Sequence, residues 1–353
     1  MEKHGADIFT AAKISGIDEN KIIDFSSNIN PLGIPSGVEK AIIDSVRYSG
    51  RYPDIHYRAL IEGISLYENV PSGYIFPSNG AAEGIFRIAL CLKPARAMLT
   101  APTFSEYESA LKTVGCSIKY YNLNENEKFN ITRSIFDEIK AVDIVFICNP
   151  NNPTGQITDN KLLEEIIAQC KLSGTTVVTD ECFMDFVKDK EKFSVSHLLW
   201  KYDNLIILKA FTKIFAIPGI RFGYCMSSNK EIIDSLKKAG PPWNVSVPAQ
   251  EAALAAVNEK RYILQSTKYI KNQRDYLIDE IKRLNIKVYE SHANYILFKI
   301  NESIDLKEEF IKKGILIRSC ANYKNLSDKY YRIAVKTEQE NKAFIEILKE
   351  IMV

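Results

Sequence analysis

Residues 143–181, DIVFICNPNNPTGQITDNKLLEEIIAQCKLSGTTVVTDE, decide the fold class. The stretch opens on a short apolar run, DIVFIC, and closes on another, TTVVT (175–179), each followed at once by polar residues. Between them, 159–172 place Leu162, Leu163, Ile166, Ile167 and Cys170 at helical spacing. Strand, helix and strand in this order make a right-handed crossover between parallel strands. The pattern continues outward, with strands expected at 96–100 (RAMLT), 205–208 (LIIL) and 222–226 (FGYCM), and helices at 81–92 and 105–114. The fold class is therefore α/β, a mostly parallel sheet covered by helices on both faces.

Beyond about residue 248 the character changes. A long helical region, 248–284, leads into strands near 294–300, 314–318 and 330–335 and helices at 304–313 and 338–351. Thr337 with Glu340 reads as a capping box for the last helix. This is a smaller α+β C-terminal unit. Near the other end, SSNINPLGIPSG (26–37) is rich in Gly, Pro and Asn and reads as an extended arm. The expected division is 1–47 as arm and part of the small domain, 48–247 as the large domain, and 248–353 as the small one.

Composition narrows the function. With 46 Lys+Arg against 44 Asp+Glu, the net charge of +2 offers no electrostatic reason for nucleic acid or membrane as partner. Apolar runs such as 141–148 are far shorter than the roughly 20 residues that span a bilayer. The opening residues, MEKHGADIFTAAKISG, lack the apolar core and cleavage site of a secretory signal. Seven cysteines, at 91, 116, 148, 170, 182, 225 and 320, are dispersed with no CxxC pair. They read as free thiols of a reducing compartment, so the expectation is a cytoplasmic protein with no metal centre.

Ligands of open α/β sheets bind beyond the carboxyl ends of strands, and here those ends carry chemistry. Ala101-Pro102-Thr103-Phe104 follows the first strand of the series, Asn149-Pro150-Asn151-Asn152-Pro153-Thr154-Gly155 the next, Asp180-Glu181 the third, and Lys209-Ala210-Phe211-Thr212-Lys213 the fourth. Pyridoxal phosphate (PLP) uses each of these residue types. A lysine amine bonds its aldehyde and later moves protons; a carboxylate keeps the pyridine nitrogen protonated; an amide donates to the phenolic oxygen; an aromatic stacks on the ring. Ser78-Asn79-Gly80-Ala81-Ala82 precedes an amphipathic helix, so the N–H groups of Ala81 and Ala82 can face a phosphate, with Thr212 and Arg221 as further donors. Taken singly, these residues have plainer explanations. A lysine after a strand is ordinarily solvated, NPNNPTG alone is a turn cluster, and Phe104 can fill a core.

Together the segments NGAAEG, PTFSEY, NPNNPTG, TDE and FTKIFAIPGIRFGY resemble the class I/II aminotransferase family of PLP fold type I over essentially the whole chain. The closer likeness is to its histidinol-phosphate aminotransferase branch. Inside that branch, DFSSNINPLG, RYPD, TKIFAIPGIRFGY and ILIRSCANY are most similar to the L-threonine-O-3-phosphate decarboxylases of cobalamin biosynthesis. The resemblance implies a seven-stranded large-domain sheet, Lys213 as the Schiff-base lysine, Asp180 as the pyridinium partner, Asn152 as donor to the phenolic oxygen and Phe104 as the stacking ring. It further implies that Gly80, Ala81, Ala82, Thr212 and Arg221 hold the phosphate, joined by Tyr52 from a neighbouring subunit of a homodimer. Arg332 would bind the substrate carboxylate. Three positions depart from the aminotransferase pattern: Phe183 where a tyrosine is common, Lys336 where glycine is common, and Ala210 where a hydroxyl is common.

Decarboxylation and transamination share their opening chemistry, and the bond held perpendicular to the ring is the one that breaks. A small phosphorylated amino compound needs a second anion site. By the resemblance its candidates are Arg318 with Ser319, His4 with Gly5, and the turn Ser26-Ser27-Asn28. Histidinol-phosphate amino transfer is the rival reaction, and PLP binding without turnover a remoter alternative. A nicotinamide enzyme is disfavoured because no GxGxxG opens any βα unit.

Overall fold

A computed structural model describes residues 5–352. The short strand β1 (Ile23–Asp24) comes first. Seven strands then form one sheet: β2 (Ile75–Ser78), β3 (Arg96–Ala101), β4 (Ser117–Asn122), β5 (Ile144–Cys148), β6 (Thr176–Asp180), β7 (Leu205–Ala210) and β8 (Gly223–Met226), in the order β2-β8-β7-β6-β5-β3-β4. Only β8 runs against the rest. The C-terminal strands β9 (Lys287–Val288), β10 (Tyr295–Lys299), β12 (Arg318–Ser319) and β13 (Tyr330–Ala334) make a four-stranded antiparallel sheet, and β11 (Ile315–Leu316) pairs with β1.

Side-chain alternation explains how one sheet serves two cores. On β5, Val145 and Ile147 join the cluster that continues into Tyr295, Ile333 and Phe344. Ile144, Phe146 and Cys148 face the opposite cluster, under the helices Gly80–Leu92 and Lys230–Lys238. Strands β5 and β7 are buried along their whole length, as expected of strands covered on both faces, whereas edge strand β4 alternates.

Several boundaries differ from the sequence expectation. β2 and β4 were not anticipated; β2 is only four residues and β4 carries polar residues on its open face. The helical region 248–284 is two helices, Val247–Ala256 and Lys260–Arg283, parted at Val257–Glu259, where the Asn258 side chain turns back onto the Leu254 carbonyl (3.0 Å). The strand at 314–318 divides between two sheets at Ile317. The capping box is formed: Thr337 N–H donates to Glu340 (3.0 Å) and Glu340 N–H to Thr337 Oγ1 (3.3 Å).

The segment read as an extended arm needs correction. It is irregular, but Ser26, Asn28 and Asn30 are buried, and it runs beside Lys213. Asparagine side chains replace the missing ladder. Asn30 Nδ2 donates to the Ile214 carbonyl and to Ser266 Oγ, both at 2.8 Å, and Asn30 N–H donates to the Lys213 carbonyl at 3.2 Å.

One glycine locks sheet to helix. A Cβ on Gly223 would lie 2.7 Å from the Ala81 nitrogen and 2.9 Å from the Lys209 carbonyl oxygen, and neither backbone atom can move aside cheaply. Gly223→Ala is expected to destabilise the apoprotein by about 1–3 kcal/mol in a urea melt. Gly219→Ala, with nothing within 4 Å, is the control and should stay near wild type; equal midpoints for the two variants would contradict this packing.

Candidate active site

The carboxyl ends of β5, β6 and β7 lie level, with Cys148 beside Asp180 and Asp180 beside Leu208 in register. They open into a cavity of about 430 Å³. Within NPNNPTG, two of the three asparagines hold the loop. Asn149 spans to the Thr158 and Phe193 carbonyls (3.1 and 3.2 Å), and Asn151 to the Pro102 carbonyl and Thr154 Oγ1 (both 3.0 Å). Asn152 alone lines the cavity. Its Oδ1 accepts from Arg332 Nη1 at 2.6 Å, which leaves the amide NH₂ to donate elsewhere.

Asp180 stands at the end of β6, 5% exposed. Its Oδ2 accepts from Tyr107 Oη at 2.6 Å and its Oδ1 from the Cys182 N–H at 3.0 Å. Tyr107 stacks on Phe146 (ring centroids 5.0 Å) and meets Phe104 edge-on (5.7 Å), so one residue braces both the carboxylate and the aromatic wall. Lys213 reaches the same cavity from the turn after β7. Burial and the guanidinium charges of Arg332 and Arg221 lower its amine from the ordinary 10.5 to about 8.

At one end of the cavity the helix Gly80–Leu92 begins, and its N-cap Asn79 makes no side-chain cap. Its first-turn residues Ala81 and Ala82 line the wall together with Thr212 and Arg221. Gly80 sits just behind, at φ +73°, where a Cβ would fall 2.8 Å from Arg221 Nη2. A helix N-terminus, a hydroxyl and a guanidinium around a site that only glycine leaves open fit a phosphate dianion. Lys213, Asp180, Asn152 and Phe104 fit the ring of a phosphorylated pyridine aldehyde between this end and the next.

The far end is cationic. Arg318 on β12 and Arg332 on β13 are register partners, both lining the cavity and only 6% and 5% exposed. Arg332 Nη2 donates to the Ser26 carbonyl at 2.6 Å, while its buried Nε has no partner. Arg318 Nη2 donates to Asn322 Oδ1 at 2.9 Å. Gly5, Ser27 and Asn28 complete this end.

Fourteen expected residues thus share one cavity: Lys213, Ala81, Ala82, Phe104, Asn152, Asp180, Thr212, Arg221, Gly5, Ser26, Ser27, Asn28, Arg318 and Arg332. Others are placed elsewhere. Ser319 opens onto an adjoining groove with Lys307 and Lys329, which Arg318 also lines, and not onto the cavity with Lys213. Tyr52 is 79% exposed against Trp243, outside the cavity of its own chain. His4 lies outside the described residues. The residue-by-residue reading missed Tyr107, Glu106, Cys148, Cys182 and Tyr323, four of which line the wall while Tyr107 braces it. Tyr107 had a legible signal, one helical turn after Phe104, whereas Tyr323 comes from a distant loop.

The family model for aminotransferase class I and II matches residues 20–348. The chain is 34% identical over 352 residues to a threonine-phosphate decarboxylase of Salmonella typhimurium, covering 99% of this chain and 96% of that one. It is 30% identical to a histidinol-phosphate aminotransferase of Methanosphaera stadtmanae, over 96% of this chain and 92% of the relative. The solved histidinol-phosphate aminotransferase of Clostridium acetobutylicum superposes with a TM-score of 0.88 at 34% identity, covering 94% and 99% of the two chains. With its seven-stranded sheet and its cavity at the strand ends, the chain belongs to the class I and II aminotransferases, a family of enzymes that work through pyridoxal phosphate.

Proposed function

We propose that this enzyme removes carbon dioxide from a phosphorylated amino acid, with L-threonine O-3-phosphate as the substrate. The observation that carries the proposal is the pair of buried arginines on adjacent strands, Arg318 and Arg332, facing the cavity that holds Lys213. Like charges directly opposite one another are unfavourable on a sheet. Two anionic groups on one ligand, a carboxylate and a phosphate, offset that cost.

Pyridoxal phosphate supplies an aldehyde that captures amines and a ring that accepts the electron pair of a bond broken at the captured carbon. The residues around it divide the remaining work. Ala81, Ala82, Thr212 and Arg221 anchor the phosphate; Asp180, braced by Tyr107, holds a proton on the ring nitrogen; Phe104 covers one ring face. Its pKa, lowered to about 8, lets Lys213 exchange between neutral amine and ammonium near neutral pH. Arg332 would hold the substrate carboxylate and Arg318 its phosphate, which would orient the Cα–carboxylate bond for cleavage. Loss of carbon dioxide would leave an electron pair at Cα, and Lys213 Nζ, in its ammonium form, would deliver the proton that takes the place of the carboxylate. Residues 48–247 form the cofactor-binding unit on this account, and 248–353 with part of 1–47 the unit that grips the substrate. Homodimerisation belongs to the same proposal. The exposed Tyr52–Trp243 ring pair supports it as a surface that a second copy would cover. Seven free thiols support a cytoplasmic setting, and among the described residues no helix is long and apolar enough to cross a membrane.

The likeness to the Clostridium structure favours a second reaction, amino transfer from histidinol phosphate. One assay separates the two. Incubation with L-threonine phosphate alone should release carbon dioxide with no 2-oxo acid present, while dependence on 2-oxoglutarate with glutamate formed would establish the transferase instead. Arg332→Leu should lower kcat/KM for the phosphorylated amino acid by about 100-fold, the scale of an unpaired buried charge contact; an unchanged value would remove Arg332 from the carboxylate site.

The lysine predicts a pH profile. Only the neutral amine attacks an aldehyde, so the rate at which apoprotein recaptures the cofactor should rise with pH and level off above about 8. Replacing the cation in Arg332→Leu should move that midpoint upward, toward the ordinary lysine value. A wild-type midpoint near 10.5 would contradict the assignment.

A further inference from the structure

The two arginines are built alike. Arg332 lies over the Tyr295 ring (5.6 Å to the centroid) and donates to an amide oxygen, Asn152 Oδ1. Arg318 lies over the Tyr323 ring (5.7 Å) and also donates to an amide oxygen, Asn322 Oδ1. Side chains leaving register positions on neighbouring strands start close together. A separate ring for each guanidinium keeps the two heads apart.

The ring on the Arg318 side is held in place from outside the small sheet. Tyr323 belongs to the loop after β12, and Asn325 in that loop donates to the Ala101 and Leu123 carbonyls at 3.0 and 2.7 Å. The loop is thereby tied to the ends of β3 and β4. Tyr323 Oη approaches Asn152 Oδ1 at 3.5 Å, on the oxygen that also receives Arg332. Burial keeps this hydroxyl protonated despite the nearby guanidinium charge. Tyr323 therefore touches the receptor at one end, the amide at the other, and the cavity between them.

We infer that Tyr323 is a specificity-determining residue: it is the spacer that fixes the span between the two anion receptors, and so selects α-amino acids whose phosphate sits on the β-carbon. The inference rests on the assignment of Arg332 to the carboxylate and Arg318 to the phosphate. A substrate longer by one methylene carries its phosphate past Arg318 while its carboxylate stays on Arg332. One methylene in a fitted site is ordinarily worth about 10-fold or more in discrimination.

The test is a pair of titrations on holoenzyme. O-phospho-L-threonine and O-phospho-L-homoserine are added to wild type, Tyr323→Phe, Tyr323→Leu and Tyr323→Ala, and each Kd is read from the change in the visible band of the cofactor. Wild type and the phenylalanine variant, which keeps the ring, should prefer the shorter compound by about 10-fold or more. The leucine and alanine variants should lose most of that preference. Loss of affinity for both compounds alike, with the ratio unchanged in the leucine or alanine variant, would mean a merely structural tyrosine and overturn the inference. Equal affinity in wild type, or no binding of either compound, would overturn it as well. Discrimination in binding without release of carbon dioxide would refute the decarboxylation assigned above and leave the spacer standing.

Discussion

Positive charge gathered in one cavity is the constraint around which this structure is organised. Among the described residues, Lys213, Arg221, Arg318 and Arg332 line it against two carboxylates, Glu106 and Asp180. Removing cations from water is costly unless anions meet them. A lysine can relieve the strain by giving up its proton more readily, and the Lys213 pKa is lowered in this way by burial and by the Arg332 and Arg221 charges. Arginine has no such exit. On the proposed function the site would be matched to anions at both ends, a cofactor phosphate at the helix N-terminus and a doubly charged substrate at the strand pair, with the Lys213 amine between them.

Lys209 shows how much placement matters. It lies four residues before Lys213, on the same strand and turn, yet alternation sends it to the sheet face opposite Ala210 and the cavity. There it is buried beside Glu68 at 2.9 Å and Glu181 at 3.5 Å, with the Tyr224 hydroxyl donating to Glu68. Two carboxylates hold one lysine as a structural cation; burial and two arginines lower the pKa of the other. The adjacent acids divide in the same way. Glu181 faces Lys209 and the Val195 N–H, while Asp180 faces the cavity and Tyr107. The acids are sorted as neighbours facing opposite ways, and the lysines by the end of β7, with Lys209 inside the strand and Lys213 in the turn beyond it.

Much of this was legible in the sequence, for a physical reason. Strand ends in a parallel sheet are where side chains converge, and short apolar runs mark strands clearly, so Lys213, Asp180, Asn152 and Phe104 could be placed from local pattern. The segments of weak pattern were the ones misjudged. β2 is short, β4 is an edge, and 26–37 packs through buried asparagines rather than apolar periodicity. Ser319 was grouped with Arg318 because they are neighbours in sequence, but only Arg318 reaches the cavity that holds Lys213, while both line the adjoining groove. Tyr323 carried no local signal at all, since its place depends on Asn325 reaching the distant ends of β3 and β4. Long-range anchoring of this kind lies beyond any reading of spacing.

The central claim is that Lys213, and no other lysine, carries the cofactor. Borohydride reduction of the holoenzyme, followed by proteolysis and mass spectrometry, tests it directly. A single pyridoxyl adduct on the peptide that contains Lys213, absent from Lys213→Ala, is the result expected. An adduct on Lys209, or on any other lysine of the wild-type protein at comparable yield, would contradict the account.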